Sequence, residues 1–134
     1  MKQYLLDTNI CVFFLRGKLG VDKIIQQKGL ENCFISEITV AELRFGAENS
    51  DNPSKSNKAV DLFVSGLSVL PIYNSIKRYA KEKVRLRKIG HPMHDEFDLL
   101  IGCAAVENKL VLVTENQKDF KHLDGIKMEN WVKR

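Results

Sequence analysis

Apolar residues fall along this chain in short runs that alternate with longer stretches of helical spacing. Gln3 to Leu6 reads as a short buried strand closed by Asp7. Cys33 to Ile35, Val69 to Ile72 and Leu110 to Val113 repeat that pattern, and Ile126 to Met128 adds a shorter segment near the end. Between these runs the spacing predicts helices. Asn9 to Arg16 is an apolar helix closed by Gly17, and Val21 to Lys28 is an amphipathic one closed by Gly29. Ser36 stands at the N-cap of a helix carrying Ile38, Ala41, Leu43 and Phe45 at helical intervals. Lys55 to Leu67 places Ala59, Leu62, Phe63 and Leu67 on one face. Asn74 caps a long helix that runs to Ile89 and stops at Gly90. Phe97 to Glu107 is nearly all apolar and belongs in the core.

Short apolar strands alternating with helices predict an α/β fold. Its central sheet is mostly parallel, of about four to five strands, with helices on both faces. In such sheets functional groups gather at the carboxyl ends of the strands. The length, 134 residues, suits one domain spanning the whole chain. A hydrophobic content of 44% excludes a disordered tail, and no repeat or low-complexity tract is present. No apolar run approaches the ~20 residues that cross a bilayer. The opening MKQYLLDTN lacks the character of a signal or transit peptide. Cys11, Cys33 and Cys103 are odd in number, form no CxxC pair and lie in apolar stretches, which reads as buried thiols of a cytoplasmic protein.

Three acidic residues occupy costly positions. Asp7 follows the first strand, Glu42 lies inside the Ser36 helix, and Asp98 lies inside the apolar run FDLLIGCAAV. Asp7 could simply cap the helix beginning near Asn9, and Glu42 could face solvent. Asp98 is harder to explain by local structure, because a buried charge without a partner costs several kcal/mol. Carboxylates gathered in one cleft raise one another's pKa unless a cation neutralises them, and Mg²⁺ is the natural oxygen-loving choice. His91 and His94, separated by Pro92-Met93 with no Cys nearby, do not match zinc spacing and read as substrate-contacting or exposed.

Four segments, YLLDTNICVFFL, FISEITVAELRFGA, GHPMHDEFDLLIGCAAV and LVLVTENQKDF with MENW, resemble PIN-domain ribonucleases. More narrowly, they resemble VapC-type toxins of bacterial type II toxin–antitoxin pairs. The resemblance implies a PIN-like three-layer fold and a Mg²⁺- or Mn²⁺-dependent endoribonuclease that inhibits translation. It places the family's three acidic ligands on Asp7, Glu42 and Asp98, with Thr8 and Asn9 supporting them. The family's fourth polar position falls on Asn116 or Asp119, and Thr114 can bond into the same site. The stretch Pro92 to Asp98 is one residue longer than the commoner family spacing.

The net charge of +4 is unevenly placed. Lys77, Arg78, Lys81, Lys83, Arg85, Arg87 and Lys88 face Glu82 alone, a local +6 that leaves −2 for the rest. Seven cations that forgo i,i+4 pairing favour phosphate contact over a merely soluble helix face. With no aromatic RNA-binding platform in the sequence, structured RNA is the expected substrate, and the resemblance adds transfer RNA. It also implies a homodimer and a groove for a cognate VapB-type antitoxin. Some of Phe13, Phe14, Leu15, Phe45, Leu62, Phe63 and Leu67 would serve those contacts. Two rival readings stand beside this one. A non-catalytic RNA- or partner-binding domain predicts binding without cleavage. A phosphoryl-transfer domain with Asp7 as nucleophile needs a second Asp next to it or two residues on, where Thr8 and Asn9 stand instead.

Overall fold

The computed structural model describes residues 2–134. β1 (Tyr4–Leu6) is followed by α1 (Thr8–Leu15) and α2 (Val21–Lys28). Next come β2 (Cys33–Ser36), α3 (Glu37–Glu48) and α4 (Pro53–Ser65). β3 (Ser68–Leu70), α5 (Ile76–Lys88) and α6 (Glu96–Glu107) lead to β4 (Val111–Val113), α7 (Gln117–Phe120) and β5 (Met128–Glu129). The strands form one sheet in the order β3-β2-β1-β4-β5, with every pairing parallel. Leu5 pairs with Phe34 on one side and Leu112 on the other, so β1 is central.

Successive residues of a strand point to opposite faces, and β1 is buried throughout. Leu6 joins Ile10, Ile25, Leu43 and Phe63 in a core beneath the helices that begin the chain. Leu5 joins Leu86, Leu99, Ile101, Leu112 and Phe120 in a second core beneath α5, α6 and α7. The result is the helix–sheet–helix layering that the alternating pattern predicts. Gly102 of α6 lets the last part pack closely, because a Cβ there would run into Leu123 and Phe120. That contact seats α7 against α6.

Four details differ from the sequence reading. The buried stripe of α3 is Thr39, Leu43 and Ala47, and Phe45 is 73% exposed. In α4 the buried residues are Val60 and Phe63, while Leu62 is 78% exposed. The phase of a helix is set by where its strand delivers it, and Ser36 fixes that of α3 by accepting from the Ile38 N–H at 3.0 Å. Asn74 is not a helix cap. It lies in a 3₁₀ turn (Tyr73–Ser75), and α5 starts without a side-chain cap. α7 has only four residues, too few for a periodic signal, and the final strand begins at Met128 rather than Ile126.

Candidate active site

From β1 the chain builds outward through β2 to β3, then returns to place β4 and β5 on the other side. The crevice between the carboxyl ends of β1 and β4 is therefore the switch point of the sheet, where open α/β folds bind their ligands. Asp7 ends β1 there, and Thr114 ends β4. The two strand ends are tied by the Asp7 N–H donating to the Val113 carbonyl at 3.0 Å. Asp7 is only 3% exposed. Its Oδ1 accepts from the Thr8 N–H at 2.8 Å, which caps α1, and its Oδ2 accepts from the Thr114 hydroxyl at 2.8 Å. Asp7 therefore caps α1 and, by the same placement, stands at the β1–β4 crevice.

Thr8 links this corner to α3. Its hydroxyl donates to Glu42 Oε1 at 2.7 Å and lies 3.0 Å from the hydroxyl of buried Thr39. α6 runs down into β4, so its first turn lies at the carboxyl end of the sheet. Asp95 caps it by accepting from the Asp98 N–H at 3.1 Å. The three acids singled out in the sequence are therefore drawn to one end of the sheet by three different elements.

Their electrostatics show how close the grouping is. Burial and then the charges of Asp7, Asp95, Glu42 and Asp119 raise the Asp98 carboxyl to about 7. Asp7 is raised by burial, against the hydrogen bonds from Thr114 and Thr8, with further upward pressure from Asp95 and Asp119. Glu42 is raised by burial, against its bond from Thr8, and pushed further by Asp95 and Asp7. Such influences fade with distance, so Asp7, Glu42, Asp95, Asp98 and Asp119 share one acidic field. Among the described residues none of the five has an ion-pair partner. The donor set is oxygen only, hard and uncompensated, and it fits a divalent cation of the Mg²⁺ type. Among the described residues no three His, Cys, Asp or Glu side chains close around a single point. The site is an open field of carboxylates, not a finished cage.

Both residues expected at the fourth polar position lie beside Thr114 or the acids. The Asn116 N–H donates to the Thr114 hydroxyl at 3.0 Å, so its backbone braces the hydroxyl that holds Asp7. Asp119, on α7, contributes charge to both Asp7 and Asp98. Asn9 is exposed on the first turn of α1. Asp95, Glu96 and Asp98 put three acids at the start of α6, and the structure separates them. Asp95 faces the acidic field, whereas Glu96 turns away to accept from the Tyr79 hydroxyl at 2.9 Å and to pair with Lys83. A cleft of about 420 Å³ opens here, its lining joining Asp95, Asp98 and Asp119 to His91, His94, His122 and Lys118.

The basic helix α5 is only partly free. Arg78 pairs with Glu107 at 3.5 Å, Lys83 pairs with Glu96, and Arg85 pairs with Glu82 at 2.9 Å. Arg85 also donates to the His122 carbonyl at 2.7 Å. None of these ion pairs has i,i+4 spacing, as expected, and Lys77, Lys81, Arg87 and Lys88 are each exposed and without an ion pair among the described residues. Most of the partners lie on other elements, where helical spacing does not reveal them.

Residues 4–126 match the PIN domain family, and the chain belongs to that family, within its VapC-type group. It is 33% identical to ribonuclease VapC1 of Haemophilus influenzae (strain R2866) over 133 residues, covering 97% of this chain and 98% of that one. It is 30% identical to the tRNA(fMet)-specific endonuclease VapC of Shigella flexneri over 132 residues, covering 98% and 99%. Among solved structures, DNA-bound VapBC from Salmonella typhimurium superposes with a TM-score of 0.89 at 31% identity, covering 98% of this chain and 99% of that one. The likeness is end to end, so the β1–β4 crevice and its acids lie within it.

Proposed function

We propose that this chain is the endoribonuclease toxin of a toxin–antitoxin pair. Asp7, Glu42 and Asp98 hold Mg²⁺ or Mn²⁺, and the substrate is structured RNA, with transfer RNA foremost. The observation that carries this reading is the set of mutually destabilising carboxylates at the switch point of the sheet, anchored by Asp7. Pure capping would explain Asp7 and Asp95, but it leaves Glu42, in the second turn of α3, and the rise of Asp98 to about 7 without a purpose. The divalent ion supplies Lewis-acid charge beside the scissile phosphate. The chain supplies position. Thr114 and the Thr8 backbone orient the two Asp7 oxygens, Thr8 holds Glu42, and the Asp95 cap fixes the turn that presents Asp98. Lys77, Lys81, Arg87 and Lys88 provide the free positive charge that holds a phosphate backbone.

The names of the relatives support ribonuclease activity, and the Shigella relative supports transfer RNA as the first substrate to try. The neighbouring VapBC complex supports a VapB-type antitoxin as partner. A groove of about 270 Å³ lined by Val12, Leu15, Leu43, Ala47 and Val60 reaches Glu42, which suits an antitoxin segment that buries apolar residues and sets a polar one against the acids. Exposed Phe45 and Leu62 are available to a homodimer contact. Incubation of the purified chain with total transfer RNA, followed by mapping of fragment ends, tests the reading. Cleavage is expected with Mg²⁺ or Mn²⁺ and not in excess EDTA. Undiminished cleavage in EDTA, or tight RNA binding with no cleavage under any divalent ion, would overturn it.

A further inference from the structure

The acidic cleft has a wall that neither the carboxylates nor the basic helix explains. The rings of His91 and His122 stack with centroids 3.8 Å apart and planes inclined by 12°. Both residues are exposed, and both line the cleft together with Asp98, Asp119 and Lys118. They come from distant parts of the chain, His91 from the turn after α5 and His122 from the turn after α7. Two braces hold them. The His91 N–H donates to the Leu86 carbonyl at 2.9 Å, and the His122 carbonyl accepts from Arg85 at 2.7 Å. A pair of solvent-facing aromatic rings held parallel by backbone contacts is a preformed flat surface.

Its location matters as much as its shape. Pro92, Met93 and His94 line the acidic cleft, and they also line a second hollow of about 280 Å³ shared with Lys83 and Arg87 of α5. The loop therefore stands between Arg87, one of the free cations of α5, and the carboxylates. A strand that contacts Arg87 by a phosphate and reaches the acids passes over it. Unpaired RNA bases bind by stacking on flat side chains, histidine included, whereas bases inside a duplex do not offer their faces.

We propose that the His91–His122 pair is a stacking platform for one unpaired base of the RNA next to the scissile phosphate, with Lys118 contacting an adjacent phosphate. The platform restricts the substrate to an unpaired or splayed nucleotide within a structured RNA. Arg85, expected from sequence to touch phosphate, acts instead as a positioning residue that holds His122. This inference rests on the ribonuclease reading above, and its test separates the two.

The test compares a stem-loop RNA with a blunt duplex of the same stem, using the H91A/H122A and H91F/H122F pairs. Cleavage of the stem-loop by the alanine pair should show KM raised about tenfold with kcat nearly unchanged, the size expected for losing one stacked base. The phenylalanine pair, which keeps flat rings and discards imidazole chemistry, should stay within about twofold of the parent, as stacking alone predicts. Duplex binding, measured on the Asp7→Asn protein, should be the same in both pairs. Unchanged KM in the alanine pair overturns the platform. So does an equal loss in both pairs, or an equal loss on duplex and stem-loop. If the parent cleaves no RNA, the ribonuclease reading fails, and binding in EDTA to a stem-loop with 2-aminopurine in its loop decides the platform alone. A preference for the stem-loop over the duplex that the alanine pair loses supports it, and the absence of any such preference overturns it.

Discussion

The acidic corner and the basic helix carry opposite charge, and they are built on opposite principles. At the corner each group is fixed. Asp7 is 3% exposed with both oxygens engaged, and Thr8 reaches Glu42 across a gap of 34 residues in sequence. On α5 the four free cations are exposed and alike. A fixed group acts through its particular place, so its loss cannot be covered by a neighbour. A diffuse set acts through total charge, so its members substitute for one another. Mutations should therefore act very unequally in the two regions.

The largest effect belongs to Asp7→Asn. Removing a mere outer partner of a metal site costs about 10–100-fold in activity, so neutralising Asp7 should cost more than about 100-fold. Stability should hold or rise, because the amide oxygen can still accept from the Thr8 N–H while the charge opposing Asp98 is gone. Cleavage rate and melting temperature measured on one preparation check both halves. Next comes Thr114→Val, which keeps shape and removes the hydroxyl that donates to Asp7 and accepts from Asn116. Activity should fall about 10–100-fold, as for other outer partners. Stability should drop by roughly 1.5–3 kcal/mol, the range for a hydrogen bond to a charged group. A Thr114→Val protein that cleaves as fast as the parent would show that Asp7 needs no orienting.

Much of this contrast is legible in the sequence. The short strands, the Ser36 cap and the positions of Asp7, Glu42 and Asp98 follow from local pattern, because strand ends, caps and buried charges leave marks in the residues themselves. What escapes has one cause: it depends on which elements meet. Helix phase depends on the packing partner, so Phe45 and Leu62 emerge exposed. Three of the seven α5 cations are paired, two of them with acids of α6 that helical spacing cannot reveal. Asp95 and Glu96 are adjacent in sequence, yet one joins the acidic field and the other binds Tyr79 and Lys83. The His91–His122 stack joins residues 31 positions apart and has no sequence signal at all.

The basic helix should respond weakly and additively. Replacing Lys77, Lys81, Arg87 or Lys88 by Gln, one at a time, should weaken RNA binding a few-fold and leave kcat unchanged. Removing one phosphate partner of a single strand should reduce the slope of log affinity against log salt by about 0.7. The fourfold variant should then approach salt-independent binding on this face. Salt titrations of the Asp7→Asn protein, which keeps the RNA intact, measure the slopes. A single replacement that abolished binding would erase the distinction between the two regions.

The last effect concerns stability and has an unusual sign. Asp98 titrates at about 7 in the folded chain, against 3.8 as its ordinary value. Between those two values the folded protein retains a proton that the unfolded chain has lost. Stability must then fall as pH rises through that window and level off above it. Asp7 and Glu42, also raised, act in the same direction. Glu115 and Glu129 are lowered by Arg134, Trp131 and Lys2 and act in the opposite direction, but only at the acidic end, below their ordinary value of 4.5. In EDTA the melting temperature should therefore decline from about pH 5 to about pH 7, where an ordinary ion-paired carboxylate would leave it flat or rising. Mg²⁺ should flatten the decline by favouring the charged forms, and Asp98→Asn should flatten it without the ion. A decline that survives Asp98→Asn unchanged would mean that the repulsion is not centred on this carboxylate, and that the acidic corner is less concentrated than its geometry indicates.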